Sequence, residues 1–288
     1  MFEKIVTIGL LFVMALSVAG CGGCGAYEPK KVEGEVWTYY ILRDGTIALM
    51  GLNPNAIPED GVLYIPNTID GRRISSFAVS KGSSPMGSYA DMWTVPFMQK
   101  TIVAAGVPIG YFFWAHCGRI VEFESKTAEE ITYYPSRRKN LIVPDSSYEA
   151  YAESITAKKG GTGDYCILEK SKVVDWYVDE DGLLKGYFGL EADHYVLPSG
   201  IKKIDASSFG GGGDSPKTVI LNEDLEEIGT NGLHWSGNPI DELTIPKSVK
   251  FIDRFGASVK NTVYLYRDTV CHEQAFWAQV PPQIIYLD

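Results

Sequence analysis

Histidine is scarce in this chain: His116, His194, His234 and His272 are the four present, and none stands at a zinc-ligand spacing from another. His272-Glu273 lacks the second histidine of a metalloprotease helix. No Gly-x-Ser-x-Gly elbow occurs. The run Gly210-Gly211-Gly212-Gly213 lacks the Lys-Ser/Thr of a phosphate loop and reads as a flexible loop. Asp179, Glu180 and Asp181 suggest calcium at first sight, but Leu183 and Leu184 occupy further ligand positions and no glutamate closes a 12-residue loop. Positive charge is short as well. Lys and Arg total 26 against 36 Asp and Glu, a net charge of -10, which argues against nucleic acid and against docking on anionic lipid by charge. Arg137-Arg138-Lys139 is the one tight basic cluster and reads as a solvated loop. These gaps make the expectation a non-enzyme with no cofactor and no metal.

What the chain has is a period. Tyr195-Val196-Leu197, Val219-Ile220-Leu221 and Leu243-Thr244-Ile245 recur every 24 residues, with further apolar positions at 201/225/249 and 204/228/252. A repeat of 20–29 residues carrying one short strand marks a leucine-rich-repeat solenoid. The first two apolar positions, two apart, share one strand face and the residue between them points away. The other pair, three apart, suits a turn or 3₁₀ segment folding back over the coil. One unit alone has too little to bury against the entropy of ordering its backbone, so neighbouring coils must stack. Leu63-Tyr64-Ile65-Pro66, Lys100-Thr101-Ile102-Val103 and Leu141-Ile142-Val143-Pro144 repeat the motif less regularly in the first half. Asp145 to Tyr151 reads as a capped helical turn.

Ile245-Pro246-Lys247-Ser248-Val249 with Ile252, Leu197-Pro198-Ser199-Gly200-Ile201 with Ile204 and Phe209, and Val143-Pro144-Asp145-Ser146-Ser147-Tyr148 together resemble the bacterial surface-antigen (BspA-type) leucine-rich repeats. Cys117 resembles that family's cysteine after the aromatic residue. The resemblance covers roughly residues 60–155 and 190–288 and implies surface display and attachment to macromolecules. Asn222 stands where proline is expected, and Leu233 where an aromatic is.

The N-terminus reads as a targeting segment, residues 1–20. Ile5 to Val18 is apolar for about 14 residues, too short to span ~30 Å. Val18-Ala19-Gly20-Cys21 resembles the lipobox of bacterial lipoproteins, which makes Cys21 the expected lipidation site and implies a palmitate-type anchor. Residues 21–35 would then be a tether. Cys24, Cys117, Cys166 and Cys271 allow three disulfide pairings, and buried or free thiols in repeat positions are the expectation. Tyr39 to Ile47 and Trp176 to Leu184 each alternate around an Asp-Gly turn, a hairpin signal, and are read as caps on two solenoid edges. The expected fold is therefore mainly β, a leucine-rich-repeat solenoid with short parallel strands in two halves, each opened by a capping β-hairpin. The halves are 36–155 and 171–288, joined by a linker at 156–170.

A solenoid displays a surface, so the functional expectation is binding. Val196, Ile220 and Thr244 should point away from the core as an apolar ladder, explained either by β-propensity or by a cover, which is the N-terminal half or a partner. Tyr133 and Tyr134 are divided between interior and partner surface, while Tyr111-Phe112-Phe113-Trp114 reads as core. The expectation is a lipid-anchored protein of the bacterial cell envelope, exposed at the surface, that binds an extracellular or envelope protein or glycan in adhesion. The alternative is a passive structural or accessory subunit of an envelope assembly.

Overall fold

The computed structural model describes residues 29–77, 98–109, 117–127, 139–157, 165–189, 192–206, 208–209, 216–234, 239–278 and 280–288. Strands β1 (Lys30–Glu33), β2 (Trp37–Ile41) and β3 (Ile47–Leu52) form an antiparallel meander. Residues 30–33 are thus part of a sheet, and the expected tether at 21–35 is too long at its end. The β2–β3 turn places Gly45 at φ 81°, which glycine adopts without the Cβ clash other residues suffer. The Asp44 carboxylate accepts from Thr46 N–H at 3.0 Å and from its hydroxyl at 2.6 Å.

The second strand of this hairpin begins the parallel arrangement. β3 runs parallel to β6 (Arg72–Phe77), which closes a two-residue hairpin with β5 (Thr68–Ile69). Asp70 and Gly71, at φ 50° and 71°, supply the two left-handed positions that such a hairpin needs. β4 (Val62–Ile65), β7 (Lys100–Val103), β8 (Ile120–Phe123), β9 (Lys139–Val143) and β10 (Tyr165–Glu169) make an all-parallel five-stranded sheet in the order β4-β7-β8-β9-β10. Leu63, Thr101, Val121 and Leu141 line one buried row across it, and Ile65, Val103, Phe123 and Val143 the next.

Strand β10 occupies 165–169, inside the stretch expected to be linker; residues 158–164 lie outside the described residues. The helix α1 (Tyr148–Ala157) forms where a helical turn was expected, but Asp145 does not cap it. Its carboxylate accepts instead from Ser171 N–H at 3.0 Å, tying the start of the helix to the end of β10.

The C-terminal portion opens in the same way. β11 (Trp176–Val178) and β12 (Leu183–Tyr187) form an antiparallel hairpin, with Gly182 at φ 82° and Asp179 accepting from the N–H groups of Asp181 and Leu183. That turn accounts for the acidic run at 179–181. β12 then pairs in parallel with β14 (Lys203–Ile204), followed by β16 (Glu227–Ile228), β18 (Phe251–Ile252) and β20 (Val270–Cys271). The segment expected as a turn or 3₁₀ segment is thus a turn followed by a two-residue strand in a second parallel ladder. Stacking supplies a coil-to-coil hydrogen bond there that an isolated 3₁₀ turn would lack: Glu226 N–H donates to the Lys202 carbonyl, and Lys250 N–H to that of Glu226, both at 2.7 Å.

The other side of each coil carries β13 (His194–Val196), β15 (Thr218–Ile220), β17 (Ile240–Thr244) and β19 (Ala257–Tyr266), with β21 (Phe276–Trp277) and β22 (Gln283–Leu287) along the far edge of β19. β13 pairs with β15, and β17 with β19, both in parallel; β17 lies beside β15. Leu197, Leu221 and Ile245 are buried, as are 201/225/249 and 204/228/252. The chain is mainly β, with solenoid-like stacking of parallel strands. Two large apolar clusters fill it, one from Trp37 to Tyr151 and one from Leu184 to Ala275, with a small third of Ile120, Ile142, Cys166, Leu168 and Phe188.

Candidate partner surface

The strand register places the outward ladder where period-two alternation requires. With Tyr195 and Leu197 turned into the core, Val196 must face outward; the same holds for Ile220 between Val219 and Leu221. Val196 and Ile220 are paired Cα to Cα and each is 59% exposed, and Thr244, 24 residues further on, is exposed as well. The row continues through Tyr264 and Ile285, which pair in turn with Thr244 and with each other and are half-buried. The second half of the ladder was not visible from the repeat, because β19 and β22 depart from the 24-residue period.

A polar row flanks it on one side and a mixed row on the other. On one side run His194, Thr218 and Glu242, with the His194 imidazole 2.7 Å from the Thr218 hydroxyl. Outside these, Lys217 pairs with Asp193 at 2.5 Å and holds its carboxyl below the usual range. On the other side lie Asn222, Tyr266 and Leu287. The Asn222 amide donates to the carbonyl of Pro198 one coil back, and its oxygen accepts from Asp224 N–H at 3.1 Å, so the missing proline is replaced by a side-chain clamp. Lys247 sits 5.5 Å from the Tyr266 ring. Five strands ~4.8 Å apart and three rows of side chains give a face of roughly 300 Å². That is the size of an ordinary functional patch and well under the ~800 Å² per partner of a stable complex.

Beyond this face, a groove runs along the coil corner beside Lys202, Glu226 and Lys250, which occupy one place in three successive coils and alternate in sign. No group of three His, Cys, Asp or Glu side chains among the described residues is placed to hold a metal. Burial pushes the Cys117 and Cys271 thiols up and the His234 imidazole down, the latter beside Trp277 with ring centres 5.5 Å apart. Cys117, Cys166 and Cys271 form no disulfide. Cys21, Cys24, Tyr111–Trp114, Tyr133, Tyr134 and Gly210–Gly213 lie outside the described residues. No helix among the described residues is long and apolar enough to cross a membrane.

Sequence reasoning missed the most unusual polar cluster, at the join between the five-stranded sheet and the β11–β12 hairpin. Arg119 is fully buried, donates from Nη2 to the Gly189 carbonyl at 2.7 Å and lies 5.0 Å from the Tyr187 ring centre, while its Nε and Nη1 find no acceptor. Asn140 donates to the Tyr187 carbonyl at 2.6 Å, and Lys139 to those of Cys117 and Gly118 at 3.1 Å. Burial pushes the Tyr187 hydroxyl far above its ordinary value. These groups dock backbone to backbone and offer no paired acid and base. No protein-family model matches this chain, and neither a curated protein nor a solved structure resembling it is found.

Proposed function

We propose that this chain is a leucine-rich-repeat binding module, built in two halves that each begin at a capping hairpin, and displayed outside the cytoplasm by a lipid on Cys21. The carrying observation is the outward row of Val196 and Ile220, each 59% exposed on a parallel sheet whose opposite face buries Tyr195, Leu197, Val219 and Leu221. β-Propensity accounts for branched residues in strands. It does not account for leaving two of them open to water side by side next to the polar pair His194 and Thr218. A protein or glycan surface is the ligand class that such a ladder suits, with Tyr264 and Tyr266 adding rigid contact area at low entropic cost. A face of this size supports weak or transient attachment, or the centre of a wider contact.

The test is a pull-down with residues 25–288 and the Ile220→Lys variant. Binding of matrix or envelope components by the parent, reduced at least tenfold in the variant with the melting curve unchanged, supports the reading. Equal capture by both dismisses the ladder. Anchoring is tested separately: Cys21→Ala should abolish fatty-acid labelling, and continued labelling of that variant rules out Cys21 as the lipidated residue.

A further inference from the structure

Ser258 carries a hydroxyl that the fold does not use. It lies on β19 between Ala257 and Val259, both fully buried in the C-terminal core, so its side chain turns to the outward face. On that face it is nevertheless 1% exposed, and its hydroxyl has no hydrogen-bond partner. The register gives its neighbours. On one side Ser258 is the Cα partner of Trp277; on the other, Leu233 bridges Ala257 and accepts from Ser258 N–H at 3.2 Å, which sets His234 beside Ser258. Leu233 is fully buried and Phe276 packs against the same core, so His234 and Trp277 share the outward row with Ser258. Two strand spacings put the backbones of His234 and Trp277 roughly 10 Å apart. Their ring centres are 5.5 Å apart, so the rings lean together across the serine.

A buried hydroxyl without a bond costs stability that an alanine of nearly the same size would not. The groups around it are those of a small ligand subsite, an apolar ring face with a few convergent polar atoms. Burial lowers the His234 pKa, so at neutral pH the imidazole is uncharged and carries one N–H donor and one acceptor. Trp277 is 42% exposed and offers an indole face. Lys260, two residues further along β19, is taken up by Asp241 at 3.8 Å.

We infer that His234, Ser258 and Trp277 form a subsite for an uncharged sugar of a glycan. The C–H face of the sugar stacks on Trp277, and its hydroxyls bond to the His234 imidazole and, as the two rings part, to Ser258. A sugar hydroxyl both donates and accepts, which suits a neutral imidazole and a serine alike. The three side chains bear no charge at neutral pH, so an acidic or basic ligand finds nothing to pair with in this row. The row is roughly 10 Å across, the breadth of a disaccharide and far short of the ~800 Å² that a protein partner covers. The subsite stands apart from the row of Val196 and Ile220 and does not rest on it.

The experiment is isothermal titration of the full chain, held in a zwitterionic detergent without a sugar headgroup. The probes are cellotetraose, maltotetraose, mannotetraose and chitotetraose, and at least one of them should bind. Trp277→Ala should weaken that binding at least tenfold. Ser258→Ala should weaken it at least fivefold while the melting temperature stays or rises, because the lost hydroxyl bonds nothing in the free protein. Val196→Lys should bind the sugar as the parent does, which separates this subsite from the outward ladder. No binding of any of these sugars, parent affinity in Trp277→Ala or Ser258→Ala, or a lower melting temperature in Ser258→Ala overturns the inference.

Discussion

Glu122 shows how a charged side chain is tolerated inside a parallel sheet. It sits on β8 with its carboxylate 2.6 Å from Lys100 on β7 and 2.5 Å from Lys170 just past β10, so it ties strands on both sides of it. Burial pushes its pKa up, but the bonds to the two lysines outweigh that and leave it lowered from 4.5. The stabilisation is therefore complete above the unfolded value and drains away as pH falls through the folded one. Glu122→Gln should cost about 1–3 kcal/mol at neutral pH, and melting curves of the two proteins should converge in acid. A difference that persists well below pH 4.5 would assign the loss to packing instead. Arg119 is the opposite case, a buried cation with no carboxylate. Arg119→Met removes that uncompensated charge but strands the Gly189 carbonyl, a loss of about 1–3 kcal/mol. The two nearly cancel, and the methionine variant should melt close to the parent. Arg119→Ala adds a void and should lose ~3 kcal/mol or more. Neither residue is legible as buried in the sequence, since charged types are mostly surface and nothing in Arg119-Ile120-Val121-Glu122 marks which contacts await them.

At the scale of the element, the two hairpins share a left-handed glycine turn and differ in what that glycine meets. Gly45 and Gly182 hold φ 81° and 82°, and a Cβ at either is strained by about 1–2 kcal/mol. At Gly45 the nearest neighbour is the flexible end of Arg72 at 3.7 Å; at Gly182 it is the Gly200 carbonyl oxygen at 2.8 Å, the backbone of the next coil. Gly182→Ala should therefore cost more than Gly45→Ala, by ~1 kcal/mol or more, in chemical denaturation. Equal losses would mean that β12 can shift away from its neighbour freely. Both hairpins were legible because an Asp-Gly turn between alternating runs is a local signal. So were β13, β15 and the end of β17 at Leu243 and Thr244, where only one face is buried and the alternation survives. β8 and β10 were not: Ile120, Val121, Glu122 and Phe123 are all buried, as are Cys166 and Leu168. A strand covered on both faces reads as an unbroken run with no period to find. For the candidate surface, Val196, Ile220 and Thr244 followed from the repeat, while Tyr264 and Ile285 needed the β19–β22 register, which rests on pairings distant in sequence.

For the whole molecule, the question is how far stability is shared along the stack. Each coil touches its neighbours above all, so a defect should be felt locally and fade with distance. Ile228 tests this. It is fully buried in β16 and is flanked by Ile204 on β14 and Ile252 on β18, with which it is in register. Ile228→Ala should cost about 2–5 kcal/mol. The effect divides according to the cores: Ile228 belongs to the C-terminal cluster, whereas β7 and β9 pack into the other through Val103, Leu141 and Val143. Among the described residues, the small cluster around Phe188, the Arg119 contact with the Tyr187 ring and the bonds from Arg119 and Asn140 bridge the two regions. Hydrogen exchange of the variant should show β14 and β18 losing protection together, since both lean on the deleted methyls, while amides of β7 and β9 keep theirs. Uniform loss from 29 to 288 would mean that the bridge couples the cores into one cooperative unit. In that event the buried Arg119 carries far more of the architecture than its single carbonyl bond suggests, and Arg119→Ala should then release the two regions from each other.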